Sequence, residues 1–437
     1  MVDLMVNEQQ SGTAGKGVPA GFKLTEVGVI PEGWDVKTIG QLNPFITSGS
    51  RGWADFYVDY GDLFVRITNM SRNSIYLDTK TCENRFVSLP VTSTEGKRTS
   101  LNNGDVLISI TADIGIIGYI DESIAKPAYI NQHISLVRFD DNSIDNKFIA
   151  YFLAGENVQK KFLANSDLGA KAGMNLNGVR SIIFAVPTKK EQSAIAKALT
   201  DVDILIVELK KFLTKKQAIK TATMQQLLTG KTRLPQFALR KGGSVKGCKK
   251  SELGEIPEDW VVNNIGNLFS TTAGGDLRQA EFSDIQSEEH PYPIYSNAIS
   301  HYGLYGYCHS YDYIGDYLTI TARGGVGHAV VRKGCFCAIG RLLVLSPKGD
   351  SNVKFYEEYI NQYLSFANES TGVPQLTAPQ VAKYLVVYPG IEEQTAIAAI
   401  LSDMDKEIQT LQQRLDKTRQ LKQGMMQELL TGKTRLI

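Results

Sequence analysis

The chain repeats a frame of its own sequence, and this duplication constrains its fold more than any other feature. The segment LLTGKTRL occupies residues 227–234 and recurs at residues 429–436. A constant offset of 202 residues runs backwards through both copies as far as a proline that precedes each one. Upstream, IPEGW at residues 30–34 recurs as IPEDW at residues 256–260. The segments between these anchors share little and differ in length, so one frame carries two diverged inserts.

Each copy of the frame predicts one long helix. Apolar side chains in both copies step by three and four residues, which is the spacing of helices that pair along their length. These positions form the helix-pairing seam: Ile195, Leu199, Val202, Ile206, Leu209 and Leu213, then Ile397, Leu401, Met404, Ile408, Leu411 and Leu415. Gly230 and Gly432 lie where a C-terminal cap needs a positive φ, so we expect helices near residues 190–229 and 391–431. About 40 residues at roughly 1.5 Å per residue give a rod of about 60 Å.

Antiparallel pairing of these two helices is the simplest way to bury both seams. Lys216 and Lys220 fall on the seam of the first copy. We therefore expect the distal half of that helix to pair less well and to face a different partner. A plain helical hairpin with no recognition role is the alternative.

The two inserts, residues 43–186 and 269–388, have the composition of mixed α+β domains. The expected strands are Leu63–Ile67, Asp105–Ile110, Ile134–Phe139, Ile182–Val186, Tyr317–Thr321, Ala329–Arg332, Leu342–Leu345 and Tyr384–Tyr388, with short helices over Asp145–Phe162 and Val353–Phe366. GDVLISITADIGIIG at 104–118 also resembles GDYLTITARGGVG at 315–327, each reading as a Gly-Asp turn, a strand and a small polar loop.

The predicted fold class is therefore α+β: two mixed globular domains separated by two long antiparallel coiled-coil helices, with an internal pseudo-two-fold repeat. The expected divisions are a flexible leader (1–20), a first globular domain (21–188), a central helix (189–234), a basic linker (235–250), a second globular domain (251–389) and a C-terminal helix (390–437).

The net charge of +1 conceals an uneven distribution. Residues 189–250 hold 15 basic and 4 acidic side chains, a net charge of +11. The first insert holds 14 basic and 15 acidic side chains, and the second holds 8 and 11. Because phosphate neutralisation supplies most nucleic-acid affinity, inserts that bind DNA would need a partner for much of the electrostatic attraction. The basic stretch is either a phosphate contact or a solvated helix face with a linker.

Direct reading of bases needs polar or cationic side chains on loops that reach base edges in the major groove. The candidates of this kind are Ser50, Arg51, Arg66, Thr68, Asn69, Arg72, Thr111, Arg278, Ser296, Asn297, Arg323 and Gly324. Each could instead be an ordinary polar loop residue. Six aromatic residues could stack on bases or belong to the core: Trp53, Tyr292, Tyr295, Tyr302, Tyr305 and Tyr307.

Two motifs suggest nucleotide binding and zinc binding, but neither has the spacing that such a site requires. The GKT at 230–232 and 432–434 lacks the earlier glycine of a phosphate-binding loop, which Gln225 and Gln427 replace, and it closes a helix rather than opening one. The residues Cys308, His309, Cys335 and Cys337 match no common zinc spacing. We therefore expect no metal, no bound cofactor and no catalytic activity in this chain.

Composition also limits the compartment. Five cysteines are few and odd in number, which fits a reducing environment. No apolar run reaches the length of a membrane span, and the polar first 21 residues do not have the pattern of a secretory signal. The expected location is the cytoplasm.

These residues together resemble the specificity subunit of type I restriction-modification systems. The resemblance rests on IPEGW and IPEDW, on the EQ-x-AIA starts at Glu191 and Glu393, on the twin LLTGKTRL ends and on two divergent inserts in the right order. It covers nearly the whole chain after about residue 20.

The resemblance implies that each insert is a target recognition domain for one half of a bipartite double-stranded DNA sequence. The helices would set the gap between the halves and dock two methyltransferase subunits, to which a restriction subunit can add. S-adenosylmethionine, ATP and magnesium would belong to those partners. The base-contacting residues of the family lie in the divergent inserts, so none transfers to this chain by motif. The competing interpretation is a coiled-coil adaptor whose inserts bind proteins.

Overall fold

The computed structural model describes residues 18–166, 173–366 and 375–436. The chain forms two compact units: unit 1 is the chain up to Lys210 together with Arg414 onwards, and unit 2 is Lys211–Gln413. Residues 1–17 of the predicted leader lie outside the described residues.

Two long helices are the main feature shared by both units. The central helix spans Lys189–Leu227 and the C-terminal helix spans Ile391–Leu429, each of 39 residues. Both predicted helices are confirmed, with limits within two residues of those expected. Each begins in one unit and ends in the other, and the predicted fold class is confirmed.

Unit 1 contains two four-stranded sheets and two pairs of short strands. Its strands are β1 Phe22–Thr25, β2 Gly28–Pro31, β3 Asp35–Thr38, β4 Phe45–Ser48, β5 Tyr57–Val58, β6 Asp62–Val65, β7 Phe86–Val87, β8 Val106–Ser109, β9 Ile117–Tyr119, β10 Ala128–Ile130, β11 Ile134–Arg138 and β12 Ile183–Val186. The larger sheets have the orders β10-β6-β7-β5 and β4-β11-β8-β9, and the pairs are β1-β2 and β12-β3. Short helices cover Thr94–Thr99, Asn146–Ala154, Glu156–Ser166 and Leu176–Arg180.

Unit 2 is built on one seven-stranded sheet. Its strands are β13 Cys248–Ser251, β14 Gly254–Pro257, β15 Val261–Asn264, β16 Phe269–Ala273, β17 Phe282–Ser283, β18 Tyr292–Tyr295, β19 Leu304–Cys308, β20 Tyr313–Ile320, β21 Ala329–Ala338, β22 Leu343–Pro347 and β23 Leu385–Tyr388. The large sheet has the order β16-β22-β20-β21-β18-β19-β17, and the pairs are β13-β14 and β15-β23. Short helices cover Pro235–Ala238, Ile265–Leu268, Val353–Tyr363 and Ala378–Ala382.

The strands predicted for both inserts are all present, with ends shifted by up to six residues. Two local predictions were wrong. The helix expected over Asp145–Phe162 is interrupted at Gly155, whose N–H bonds to Phe152 O as a C-cap. Gly315 and Asp316 do not form a turn, because β20 already begins at Tyr313.

The frame ties each short helix to a long one. Asp145 caps the helix Asn146–Ala154 with its carboxylate, and its own N–H donates to Gln192 Oε1 over 2.8 Å. Asn352 caps Val353–Tyr363 in the same way, and its N–H donates to Gln394 Oε1 over 3.0 Å. A capping side chain satisfies backbone donors that the first helical turn leaves open. The two glutamines therefore fix where the helix of each insert begins.

In unit 1, a tryptophan and an arginine both hydrogen-bond to one buried glutamate. The indole of Trp34 donates to Glu191 Oε2 over 3.0 Å, and Arg435 Nη2 donates to the same oxygen over 2.7 Å. Gly432 has a φ of 69°, and a Cβ there would lie 2.5 Å from Pro31. The glycine is thus required both by its backbone conformation and by the close approach of the proline.

Unit 2 repeats this cluster with its own residues. Trp260 Nε1 donates to Glu393 Oε2 over 3.2 Å, and Arg233 makes two bonds of 2.6 Å to the same carboxylate. Gly230 has a φ of 70° and packs against Pro257. The motifs that repeat in the sequence are therefore the residues that join the end of one long helix to the start of the other.

The long helices are antiparallel within each unit. In unit 1, Lys422 Nζ lies 2.7 Å from Asp203 Oδ1. In unit 2, Lys220 Nζ lies 2.6 Å from Asp405 Oδ1, and Lys216 lies 2.7 Å from Glu407. The expectation that Lys216 and Lys220 face a different partner was wrong, since carboxylates of the C-terminal helix pair with both ammonium groups.

The seam lies on the inner side of both helices. Ile195, Leu199, Ile206, Leu209, Ile397, Leu401 and Leu415 are buried, and Val202, Leu213, Met404, Ile408 and Leu411 are half-buried. The segment 235–250, taken as a linker, holds the helix Pro235–Ala238 and most of β13.

Candidate nucleic-acid interface

Three loops of unit 1 are joined by backbone hydrogen bonds. They follow β6, follow β8, and connect β10 to β11. Asn131 donates to Val65 O over 3.3 Å, and Ile110 donates to His133 O over 2.9 Å. Residues 66–69, 110–115 and 131–133 are therefore held close together.

Three loops of unit 2 are joined in the same manner. They follow β18, follow β20, and connect β21 to β22. Ile339 donates to Tyr295 O over 2.9 Å. Asn297 donates from Nδ2 to Gly340 O over 2.6 Å and accepts from Ala322 N over 2.7 Å, so one side chain links all three loops.

The second loop has the same hydrogen bonds in both units. They are Ser109 N to Ile116 O, Gly115 N to Ser109 O and Met174 N to Ile110 O in unit 1, and Thr321 N to His328 O, Gly327 N to Thr321 O and Leu376 N to Ala322 O in unit 2. These matching bonds place Thr111 and Arg323 at structurally equivalent positions of the second loop. The third loop also has a matching hydrogen bond in each unit, from Ile134 N to Asn131 O and from Leu342 N to Ile339 O. His133 and Arg341 therefore occupy structurally equivalent positions.

Packing of the second loop is also repeated. Gly115 has a φ of 88°, and a Cβ there would lie 2.5 Å from the ring of Phe162. Gly327 has a φ of 93° and has the same relation to Phe366. The two inserts, which share little sequence, thus hold one loop in the same conformation against an aromatic ring.

Several unit 1 candidates make internal contacts. Arg66 donates to Glu83 O over 2.7 Å, Asn69 is fully buried and donates to Asp78 O over 3.1 Å, and Ser50 accepts from Arg98 over 2.8 Å. Arg72 pairs with Asp113 and also donates to Ile114 O over 3.0 Å. Thr111 shares a short hydrogen bond with His133 Nδ1. Arg51 and Thr68 are exposed, and their side chains bond to no other residue in the described part of unit 1.

The unit 2 candidates divide in the same way. Arg278 lies 2.7 Å from Asp312, Ser296 Oγ donates to Gly303 O over 3.3 Å, and Asn297 joins the three loops. Arg323 and Gly324 are exposed, and Gly324 has a φ of 70° with open space around it.

Of the six aromatic candidates, one is buried and three are half-buried, namely Tyr292, Tyr295 and Tyr307. Trp53 is buried and stacks on Phe64 with ring centroids 4.7 Å apart. Tyr295 stacks under the guanidinium of the buried Arg332, 3.7 Å from the ring centroid, and burial lowers the pKa of Arg332. Tyr302 and Tyr305 are the exceptions, at 73% and 51% exposed.

His133 and Arg341 were missed in the sequence. Arg341 is exposed and has a φ of 69°, directly after Gly340 with a φ of 64°. The available signal was a Gly-Arg pair between two apolar strands, which is typical of a tight turn. His133 had no comparable signal.

The cysteine and histidine set does not form a metal site. Cys308 and Cys337 meet with their sulfur atoms 3.0 Å apart. Within residues 18–166, 173–366 and 375–436, no group of three or more His, Cys, Asp or Glu side chains could hold a metal ion.

A duplicated frame, two antiparallel long helices and two α+β units with matching loops define a two-module recognition protein. The sequence profile of the type I restriction modification DNA specificity domain matches residues 31–221 and 257–419. The chain belongs to this family. It is a DNA-recognition subunit of a type I restriction-modification system and not one of the catalytic subunits.

Relatives and a solved structure agree with this assignment. The putative type I restriction enzyme MjaX specificity subunit of Methanocaldococcus jannaschii is 26% identical over 434 residues, which cover 95% of this chain and 97% of that protein. The type I restriction enzyme MjaVIII specificity subunit of the same organism is 27% identical over 59% of this chain and 63% of its own length. The type I S subunit from M. genitalium has the same fold, with a TM-score of 0.60, 14% identity and coverage of 93% and 97%.

Among the helices that the structure describes, none has the length and apolar character needed to cross a bilayer.

Proposed function

We propose that the chain recognises a bipartite, asymmetric double-stranded DNA sequence, with each unit reading one half through the major groove. The observation that carries this proposal is the repeated loop framework, which keeps its backbone hydrogen bonds in both units and carries different side chains. Two loop frameworks with the same backbone and different side chains are suited to two different half-sites. The long helices, which run from one unit into the other, would set the length of the unread spacer.

We further propose that the chain docks two methyltransferase subunits, to which a restriction subunit can add. Exposed apolar side chains of the central helix support a protein contact, because apolar patches on a soluble surface often mark interaction sites. In unit 1 these are Ile204, Leu205 and Val207, which are 56%, 39% and 47% exposed. S-adenosylmethionine, ATP and magnesium would be bound by those partners, and the complex would act in the cytoplasm.

The net charge of the inserts supports a model in which this chain and its partner subunits share the phosphate contacts to DNA. The inserts carry −1 and −3 by residue count, so few phosphate contacts can come from them alone. Partner subunits would supply the remainder, and binding by the assembled complex should weaken steeply with salt.

Co-expression with a modification subunit tests this function. We expect methylation mapping of the host DNA to return two short specified sequences separated by a fixed unspecified spacer, and purified complex to bind that DNA in a salt-sensitive manner. A coiled-coil protein adaptor would give neither methylated sites nor salt-sensitive DNA binding, with or without the methyltransferase. That outcome would exclude the proposal.

A further inference from the structure

We infer that Arg341, together with Arg323, reads bases in the half-site of unit 2, and that His133, together with Thr111, occupies the corresponding reading positions in unit 1. This assignment rests on the proposed function and names the residues that determine its specificity. It starts from the equivalence of the loops, in which Thr111 matches Arg323 and His133 matches Arg341.

The unit 2 loops form a fixed support for the two arginines. Asn297 is bonded to Gly340, next to Arg341, and to Ala322, next to Arg323. A Cβ at position 325 would lie 2.2 Å from Ile299 Cδ1, so the first loop packs directly on the second. Asn297 is therefore a positioning residue that holds both arginine-bearing turns.

Arg341 is held in a conformation that arginine rarely adopts. Its N–H donates to Gly274 O over 3.2 Å, and the preceding Gly340 N–H donates to Gly275 O over 2.9 Å. A φ of 69° is strained for a residue with a Cβ, and such strain concentrates at functional sites. A glycine would fill this position with less strain, so the arginine side chain itself is the feature that needs explanation.

Both guanidinium groups are available to a ligand. Arg323 and Arg341 are exposed, and within the described part of unit 2 neither side chain forms an ion pair or hydrogen bond. Arg278 and Arg332 differ, since the first pairs with Asp312 and the second is buried against Tyr295. A guanidinium on a fixed turn can donate two parallel bonds to O6 and N7 of guanine in the major groove.

Unit 1 has smaller polar groups at the same two positions. Thr111 and His133 share a short hydrogen bond, and His133 Nε2 lies 2.9 Å from Gln132 Nε2. A hydroxyl and an imidazole differ from two guanidinium groups in length, charge and donor pattern. The same loop framework therefore carries a different pair of side chains in each unit, and this difference gives each unit its own base preference.

The test uses the full chain with its modification subunit and maps methylated sequences for wild type and variants. We expect Arg341→Ala to relax one position in one half of the target, where preference for the correct base falls by about 5- to 150-fold, because a bidentate arginine–guanine contact contributes about that much discrimination. His133→Ala should relax a position in the other half only. Arg341→Lys should match Arg341→Ala, because it keeps the charge and loses the two-pronged geometry.

Two further variants separate recognition from folding and from charge. Arg341→Gly should raise the melting temperature by relieving the positive φ and should still relax the same position. Lys249→Ala removes one exposed charge from β13 and should leave both halves unchanged.

The two possible failures are distinguishable. The residue assignment alone would be overturned under two conditions. The wild-type protein would have a bipartite target, and the Arg341 and His133 variants would either keep the wild-type base preference in both half-sites or lose methylation equally at all sequences. A wild-type complex that shows no bipartite target would overturn the proposed function itself.

Discussion

Asp203 and Lys422 form a buried ion pair between the two long helices of unit 1, with Oδ1 and Nζ 2.7 Å apart and side chains 8% and 10% exposed. The offset of 202 residues maps this pair onto Asp405 and Lys220, which are paired in unit 2. Tyr151 also donates to Asp203 Oδ2 over 2.7 Å. The duplication therefore preserves a specific charge contact as well as an apolar seam.

Removal of the ammonium should destabilise unit 1. We expect Lys422→Ala to lower the free energy of unfolding by about 3 to 5 kcal/mol, because it leaves an uncompensated buried carboxylate. Urea denaturation measures the change. Lys417→Ala, an exposed position on the same helix, is the control and should change stability by less than about 0.5 kcal/mol. Equal effects of the two substitutions would show that the pair contributes nothing specific.

Gly424 within the C-terminal helix and Gly432 just after its end should respond in opposite directions to substitution by alanine. Gly432→Ala should destabilise the protein by more than about 1 kcal/mol, because alanine must adopt a φ of 69° and its Cβ would meet Pro31. Gly424→Ala lies inside the helix with nothing near its Cβ and should stabilise by about 0.5 to 1 kcal/mol. Thermal unfolding of both variants checks this contrast, and a Gly432→Ala variant as stable as wild type would contradict it.

Local sequence patterns predicted most of the fold. Apolar runs located the expected strands, and the three-four spacing located the long helices, because these signals depend on residues close together in the chain. The need to bury both apolar seams indicated antiparallel pairing. The sequence alignment of the similar segments 104–118 and 315–327 was wrong by one residue. Aligning Gly104 with Gly315 gives an offset of 211, whereas the shared hydrogen bonds give 212. Those hydrogen bonds, and the packing of each loop on Phe162 or Phe366, are tertiary features that no local pattern encodes.

The candidate site was less predictable for a physical reason. Arg72 looked like a base reader until its partner Asp113, 41 residues away, was known. Arg341 was overlooked because its significance is a left-handed backbone conformation at a turn. Residue type gives the chemistry that a side chain can perform, but tertiary contacts decide which side chains remain available for it.

The buried thiols should react slowly. Burial raises the pKa of Cys337 to about 12, together with the hydrogen bond that its thiol shares with Cys308, and burial also raises the pKa of Cys308. Since the thiolate is the nucleophile, iodoacetamide at pH 8 should modify both at least about 100-fold more slowly than the exposed Cys248. Peptide mass spectrometry over a time course measures the rates, and Cys248→Ser should remove the fast phase. Rapid labelling of Cys337 would contradict its burial.

A matched insertion in both long helices tests their role as a spacer. Seven residues inserted after Lys210 and seven after Gln413 keep the seam in phase and preserve the pairs Asp203–Lys422 and Lys220–Asp405 within their units. Each insertion adds about 10 Å of helix. At about 3.4 Å per base pair, the unread spacer should lengthen by about three base pairs while both half-sites stay the same. Methylation mapping gives the spacer directly.

Seven residues inserted between Gly242 and Gly243, in an exposed turn, are the control and should leave the spacer as it is. Insertion into the central helix alone should instead lower stability, because the two ion pairs and the seam can no longer be satisfied together. An unchanged spacer in the doubly extended protein would mean that the helices do not set the distance between the half-sites, even though each unit still reads its own half.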